Sequence, residues 1–230
     1  AETDQYAPEL VRDNTPCDPP GTFAGGYHLT ADLVDQGIRY LADHVADNER
    51  TPWLMWLALG ACHAPHQAPA DLIRRYDADF AHGWDVERER RLARQVEMGI
   101  VPKGTRLPPR NDIVRPWEEV SGDEKRLFTR LQAAYAAMLD HADQHLARLV
   151  GFLEAAGQLD NTLVLVLSDN GASQEGGPFG MINAMGPYNL KREALEEKIA
   201  RIDDIGGPDT HSNFPLGWAM ASNTPLRRYK

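Results

Sequence analysis

Two continuous apolar runs constrain the fold of this chain more than any other feature. Residues 52–60 (PWLMWLALG) and 161–167 (NTLVLVL) have the length of β-strands and are apolar at consecutive positions. Apolar side chains on both faces are typical of strands buried inside a parallel sheet. Helical patterns separate and follow the two runs, and the alternation of strands with helices indicates an α/β fold. We therefore predict a mixed, mostly parallel sheet flanked by helices.

The longest helical pattern lies between the two runs and has recognisable ends. Ser121 and Glu124 form a capping box at its start, and Gly157 is placed to end it. A shorter charged helix is predicted over residues 85–98. Residues 101–118 contain four prolines and are predicted to be an irregular excursion between the two helices.

Composition excludes several classes of partner. The 230-residue chain carries a net charge of -10 at pH 7, and it has no basic stripe to neutralise the phosphates of a nucleic acid. No apolar run reaches the roughly 20 residues that span a bilayer. The two cysteines, Cys17 and Cys62, are too few for a disulfide framework or a zinc cluster. We expect a soluble protein, with the compartment left open between cytoplasm and periplasm.

Polar residues follow the second apolar run where the predicted strand ends. Ligands of open α/β sheets bind at the carboxyl ends of strands, and Asp169 and Asn170 occupy such an end. Their carboxylate and amide oxygens are hard donors that suit Ca²⁺ or Mg²⁺. Gly171 is predicted to permit a sharp turn after them. Taken alone, the same residues are also typical of a capped turn.

Two histidines follow the first apolar run in the same way. His63 and His66 carry side chains that titrate near neutrality, so either could bind an anion or protonate a leaving group. Pro65 lies between them and disrupts the helix on which paired histidine ligands usually lie, so zinc is not favoured. Ordinary hydrogen bonds within a loop are the alternative for each histidine taken alone.

Four segments together resemble the arylsulfatases of the alkaline-phosphatase-like superfamily. They are residues 26–30 (GYHLT), 60–69 (GACHAPHQAP), 159–173 (LDNTLVLVLSDNGAS) and 223–230 (NTPLRRYK). Each segment is modest by itself, but their order and spacing are specific, and the resemblance covers nearly the whole chain. It implies an alkaline-phosphatase-like sandwich fold and the calcium-dependent hydrolysis of sulfate esters, with an aryl sulfate or a related ester as substrate.

The resemblance also implies roles for particular residues. Asp169 and Asn170 match the Asp-Asn pair that ligates Ca²⁺. His63 matches a histidine that contacts the sulfate group and protonates the leaving alcohol, whereas His66 has no counterpart. Lys230 matches a lysine that contacts the sulfate, where a cation neutralises charge on the transferred group.

The chain departs from the family pattern at the nucleophile. Sulfatases attack sulfur with a formylglycine hydrate, which is made from the first residue of a C/S-x-P-S/A-R motif. Cys17 is followed by Asp-Pro-Pro-Gly, so we predict an ordinary loop cysteine. The family's paired aspartates and its Lys-x-x-His element are also absent. We therefore expect residues 1–230 to be an internal segment of one sulfatase catalytic domain, without the N-terminal nucleophile region and the C-terminal part, and inactive alone.

Two other functions stay open from the sequence. A phosphomonoesterase or phosphodiesterase of the same superfamily would use a Ser or Thr nucleophile and usually two zinc ions. A degenerate relative would bind anions or a partner protein without catalysis, with residues 101–118 as the interaction surface. The sequence identifies neither the sulfate ester nor the oligomeric state.

Overall fold

The computed structural model describes residues 3–48 and 51–230, and these residues are predominantly helical. The helices are α1 (Leu29–Asn48), α2 (Ala70–Arg75), α3 (Gly83–Glu97), α4 (Gly122–Ala155), α5 (Leu195–Ala200) and α6 (Leu216–Ser222). The strands are β1 (Leu10–Arg12) and β2 (Thr15–Cys17), which form an antiparallel hairpin in which Leu10 pairs with Cys17. Short 3₁₀ turns occur at Phe23–Gly25, Trp117–Glu119, Leu159–Asn161, Gly177–Phe179, Pro187–Asn189 and Ile202–Asp204.

The long predicted helix is confirmed as α4, against which α1, α2 and α5 pack. Ser121 Oγ accepts a hydrogen bond from Glu124 N at 3.3 Å, and Glu124 Oε2 accepts one from Ser121 N at 3.1 Å. This reciprocal pair is the predicted capping box, which satisfies backbone donors that the helix itself cannot. Gly157 follows the helix with φ 66°, a conformation that glycine adopts at little cost.

An aromatic cluster joins α3, α4 and α6. The Trp84 ring centroid lies 4.7 Å from that of Trp117 and 5.8 Å from that of Trp218. The indole N–H of Trp218 donates to the Phe128 carbonyl at 2.9 Å, so this buried polar atom is satisfied. Gly217 has no room for a side chain, because an added Cβ would lie 2.3 Å from the Trp84 ring. Helix α6 is therefore held closely within the core.

The connecting segments agree with the sequence-based predictions. Helix α3 occupies the charged stretch that was predicted over residues 85–98 and begins slightly earlier. Residues 101–118 are irregular until the 3₁₀ turn Trp117–Glu119 begins. Arg110 anchors this excursion to α3, because its Nη1 lies 3.2 Å from Asp85 Oδ1.

The prediction of two buried strands is wrong for the described residues. Residues 52–60 and 162–167 form neither helix nor strand, and the exposed fraction reaches 96% for Leu54, 88% for Trp56 and 84% for Leu163. The hairpin is the only sheet in the part of the chain that the structure describes. A strand needs neighbours for its backbone N–H and C=O groups. These residues supply no neighbour, so the predicted mostly parallel sheet does not form among them.

The two apolar runs differ in how much of them is covered. Within residues 52–59 the even-numbered side chains are exposed and the odd-numbered ones are half-buried. This period of two is that of an extended segment with one covered face. Met55 belongs to the covered face, because a Cβ added to Gly37 of α1 would lie 3.4 Å from its Sδ. Residues 163–167, in contrast, are exposed at every position.

Candidate functional site

The turn that carries Asp169 and Asn170 follows the second apolar run directly. Both side chains are exposed. The hydroxyl of Ser168 donates to the Asn170 carbonyl at 2.8 Å and closes the turn locally. The structure therefore presents a carboxylate and an amide side by side at the surface, at the end of residues 162–167.

Asn223, which directly follows α6, holds this turn from the side of the core. Ala172 N donates to Asn223 Oδ1 at 2.9 Å, and Asn223 Nδ2 donates to Ala172 O at 3.3 Å. Gly171 does not have a left-handed φ, so the predicted reason for its presence is corrected. A Cβ there would lie 2.9 Å from Asn223 Oδ1, so glycine is needed for space rather than for backbone freedom.

Lys230 lies beside the same turn, although it is distant in the sequence. Its backbone N donates to Ala172 O at 3.0 Å, and its carbonyl accepts from Gln174 N at 3.3 Å. Its side chain is exposed. The backbone of Lys230 thus contacts Ala172, which lies two residues after Asn170 in the sequence.

His63 lies in the loop after the first apolar run. Its backbone N donates to Gly60 O at 2.8 Å, and its ring Nδ1 lies 2.9 Å from Ala64 O. Because a carbonyl only accepts, Nδ1 carries the proton of the neutral ring and Nε2 is its acceptor nitrogen. Two hydrogen bonds of 2.9 Å connect the same loop to Ser212: His66 N donates to Ser212 O, and Ser212 Oγ donates to His66 O.

His66 belongs to the core. Its ring lies 5.1 Å from Tyr135 and 4.9 Å from Phe214 between ring centroids. Burial, together with the nearby His63 ring, lowers the pKa of His66 to about 3, so its ring is neutral at physiological pH. This histidine packs the loop against α4 and is not presented to a ligand.

The cysteines are both free. Cys17 ends β2. Burial raises the pKa of the Cys62 thiol to about 12, although a hydrogen bond from Tyr135 acts in the opposite direction. Cys62 is therefore a protonated, unreactive thiol.

The metal chemistry of the site is that of hard oxygen ligands. Asp169 and Asn170 fit a calcium ion in donor type, but calcium takes about 6–8 oxygens. Over residues 3–48 and 51–230, no three His, Cys, Asp or Glu side chains converge as a metal cluster. Asp169 and Asn170 could therefore supply two of the oxygen ligands that calcium needs.

Comparison with known proteins adds the family. A family model described as Sulfatase matches residues 2–207. The chain belongs to the sulfatase family. Membership implies an alkaline-phosphatase-like fold, whereas the described residues are mostly helical, with one small antiparallel sheet. The matched range includes His63 and the Asp169–Asn170 pair, whereas Asn223 and Lys230 lie beyond it.

Two relatives show how much of a sulfatase this chain represents. It is 29% identical over 192 residues, 83% of the chain and 34% of the relative, to an uncharacterized sulfatase of Schizosaccharomyces pombe. It is 28% identical over 184 residues, 80% of the chain and 38% of the relative, to an arylsulfatase of Klebsiella aerogenes. The sulfatase chain thus spans about a third of the length of these relatives. None of its helices in the described ranges is long and apolar enough to cross a membrane.

Sequence reasoning missed Asn223 as a residue of the site. The segment that contains it contributed to the family resemblance, but only Lys230 within that segment was given a role. The sequence offered one indication of Asn223, which is its position in this short matching segment. The contact of Asn223 with the turn could not be predicted from the sequence, because its partner Ala172 is distant along the chain.

Proposed function

We propose that this chain supplies part of the active site of a calcium-dependent sulfatase that hydrolyses aryl sulfates or related sulfate esters. The observation that carries the proposal is the position of Lys230 beside the turn of Asp169 and Asn170, through the contact of both segments with Ala172. A pair of oxygen ligands next to a lysine suits a metal-bound anion. Sulfatase membership and similarity to an arylsulfatase support the choice of sulfate over other anions.

In this proposal each site residue of the chain has a separate role. Asp169 and Asn170 hold the calcium ion, which when bound polarises the sulfate oxygens. Lys230 places a second positive charge against the sulfate group and so stabilises charge on the group being transferred. With a proton on both ring nitrogens, His63 gives the Nε2 proton to the leaving oxygen and becomes the neutral ring, in which Nδ1 keeps its proton toward Ala64 O. The attacking formylglycine is not part of this chain.

We also infer that residues 1–230 form an internal segment of one sulfatase catalytic domain. The apolar runs 52–60 and 162–167 support this inference, because one face of the first run and all of residues 163–167 are exposed, and no strand in the described part of the chain pairs with them. Large contiguous apolar surfaces on a protein mark places where another polypeptide is bound. The relatives are about three times as long as the matched region, which supports the same inference. The isolated chain is accordingly expected to have no sulfatase activity.

The test compares variants within the complete sulfatase that contains this segment. We expect Asp169→Ala and Asn170→Ala each to raise the calcium concentration needed for half-maximal release of sulfate from a chromogenic aryl sulfate. Asp160→Ala is the matched control, because Asp160 is an exposed carboxylate in the preceding 3₁₀ turn. If both site variants keep the unaltered calcium dependence and turnover, the metal assignment is wrong. Hydrolysis of phosphate monoesters in preference to sulfate esters would overturn the choice of substrate.

A further inference from the structure

Asn223 connects a rigid part of the core with the candidate site. It directly follows α6, whose residues Trp218, Ala219 and Met220 have no exposed surface. The end of such a helix is a fixed point relative to the rest of the core. The Asn223 side chain extends from that point to residues on two separate segments.

The hydrogen bonds of Asn223 use both ends of its amide. Oδ1 accepts from Ala172 N at 2.9 Å, whereas Nδ2 donates to Ala172 O at 3.3 Å and to Arg228 O at 3.2 Å. Ala172 in turn accepts from Lys230 N at 3.0 Å. One side chain therefore joins the turn after Asn170 to the segment that leads to Lys230.

The side chains that lead into the turn and form it make little contact with the core. Residues 163–167, which lead into it, are exposed at every position, and so are Asp169 and Asn170. Gly171 lies directly against the Asn223 amide, which leaves no space for a Cβ. Apart from the packing of Ala172 against the core, the position of the turn is consequently set by Asn223 and by the backbone bonds to Lys230.

We propose that Asn223 is a positioning residue that fixes the Asp169–Asn170 turn and the Lys230 segment relative to each other. This inference rests on the proposed function, because it assigns a purpose to the alignment of the metal ligands with the sulfate-binding lysine. Ligands held in place before the ion arrives lose less conformational freedom when it binds. Loss of the Asn223 amide therefore weakens calcium binding without removing any ligand.

The first test measures hydrogen exchange on the chain itself. In Asn223→Ala we expect the amides of Ala172 and Lys230 to exchange roughly tenfold faster or more, because two to three hydrogen bonds are lost. Amides of α4 should be unaffected. Asn189→Ala is the matched control, because Asn189 Nδ2 donates to Met185 O within an exposed turn elsewhere. Unchanged exchange at both Ala172 and Lys230 would overturn the proposal.

A second variant keeps this test decisive if Asn223→Ala destabilises α6. Asn223→Asp retains the acceptor for Ala172 N but loses the donors to the carbonyls of Ala172 and Arg228. We expect protection of the Ala172 amide to persist while the Lys230 amide exchanges faster. Equal behaviour of the two amides with α6 intact would contradict the assigned bonds.

Steric coupling to Gly171 provides an independent check. In Gly171→Ala the new Cβ would displace the Asn223 amide, so we expect faster exchange of the Ala172 amide. Once Asn223→Ala has removed that amide, the same Gly171 change should add less than a twofold further effect. Additive effects of the two substitutions would show that the side chains do not act together.

The last test uses the complete sulfatase, where activity can be followed. We expect Asn223→Ala to raise the half-saturating calcium concentration roughly tenfold, with kcat at saturating calcium closer to the unaltered value. Asp112→Asn is the control, because Asp112 Oδ1 pairs with Arg227 Nη2 at 2.7 Å on the outer side of the same segment. If Asp169→Ala and Lys230→Ala abolish activity while Asn223→Ala keeps normal calcium dependence, the positioning role is wrong. If Asp169→Ala and Lys230→Ala have no effect, the proposed function itself fails.

Discussion

A group of three histidines between α1 and α4 predicts how the stability of this chain depends on pH. His28 and His141 are 4% and 8% exposed, and their ring centroids lie 4.3 Å apart. His145 Nε2 lies 3.1 Å from His141 Nε2. A positive charge on any of the three rings would therefore lie close to another imidazole ring.

The hydrogen bonds fix where the protons of the neutral rings lie. Arg148 Nη1 is 2.8 Å from His145 Nδ1 and can only donate, so the proton of His145 is on Nε2. That proton is donated to His141 Nε2, which places the proton of His141 on its buried Nδ1, where no acceptor is present. His28 accepts from Thr30 N at Nδ1. No ring has a favourable place for a second proton.

The pKa values follow from this arrangement. Burial lowers the pKa of His28 to about 4 and that of His141 to about 3, and it also lowers the pKa of His145. Neighbouring charged residues both raise and lower the pKa values of these histidines. Four carboxylates favour protonation: Asp4 at His28, Asp71 and Asp140 at His141, and Asp35 at His145. The positive charge of Arg148 opposes protonation of His145. Burial outweighs the carboxylates at each ring.

The sign and size of the effect can be worked out from these values. The unfolded chain takes up a proton at each histidine near pH 6.5, whereas folded His28 and His141 do so only near their lowered pKa values, so stability is lost as the pH falls below 6.5. Between pH 7 and pH 5 each of these two rings costs about 2 kcal/mol, hence about 4 kcal/mol together. A typical domain is stable by only about 5–15 kcal/mol, so this loss is a substantial part of the stability expected for the chain.

The assay is urea unfolding of the chain at pH 7, 6 and 5. We expect His28→Gln and His141→Gln each to reduce the slope of the unfolding free energy against pH by up to about 1.4 kcal/mol per pH unit, the value for one proton. His44→Gln is the control, because His44 lies on α1 outside the cluster and contacts Thr51 O. An unfolding free energy that is flat between pH 7 and pH 5, or a slope that neither cluster variant alters, would refute the argument.

Two further predictions concern packing, each with a matched pair of substitutions followed by urea unfolding. Gly217→Ala should destabilise the chain by about 1–3 kcal/mol, because its Cβ would meet the Trp84 ring. Gly151→Ala, for which there is open space within α4, should stabilise the chain by about 0.5–1 kcal/mol. Equal effects of the two substitutions would contradict the packing of α6. Leu165→Ala should change the unfolding free energy by less than about 0.5 kcal/mol because Leu165 is exposed, whereas Leu131→Ala removes a fully buried side chain and should cost about 2–5 kcal/mol. A large cost for Leu165 would show that residues 162–167 are buried after all.

The local features of the fold could be predicted from the sequence because they depend on neighbouring residues. The capping box of Ser121 and Glu124 acts over a single turn, and the helix that it begins has apolar residues at helical spacing from Leu127 to Leu153. The buried strands could not be predicted reliably in this way. Residues 52–60 and 162–167 have the composition of inner strands, but a strand is stabilised by partners, which the described residues do not provide.

The candidate site shows the same division between sequence and structure. Residue types at the ends of the apolar runs selected Asp169, Asn170 and both His63 and His66 as candidates. The resemblance to arylsulfatases then favoured His63 over His66 and added Lys230, and whether these residues act as proposed stays a prediction. Only the structure shows that His66, three residues from His63, is a core residue with a lowered pKa.

By itself, the sequence determined the family, through the order and spacing of four segments. It also determined helices α3 and α4 and the short polar motifs, because these depend on residues close together in the chain, whereas α6 was not predicted. Tertiary structure decided that Lys230 lies beside the Asp169–Asn170 turn and that Asn223 connects them. It also decided why position 171 is glycine. These features are set by side chains that meet only after the core around α6 has formed, and spacing along the chain does not record such contacts.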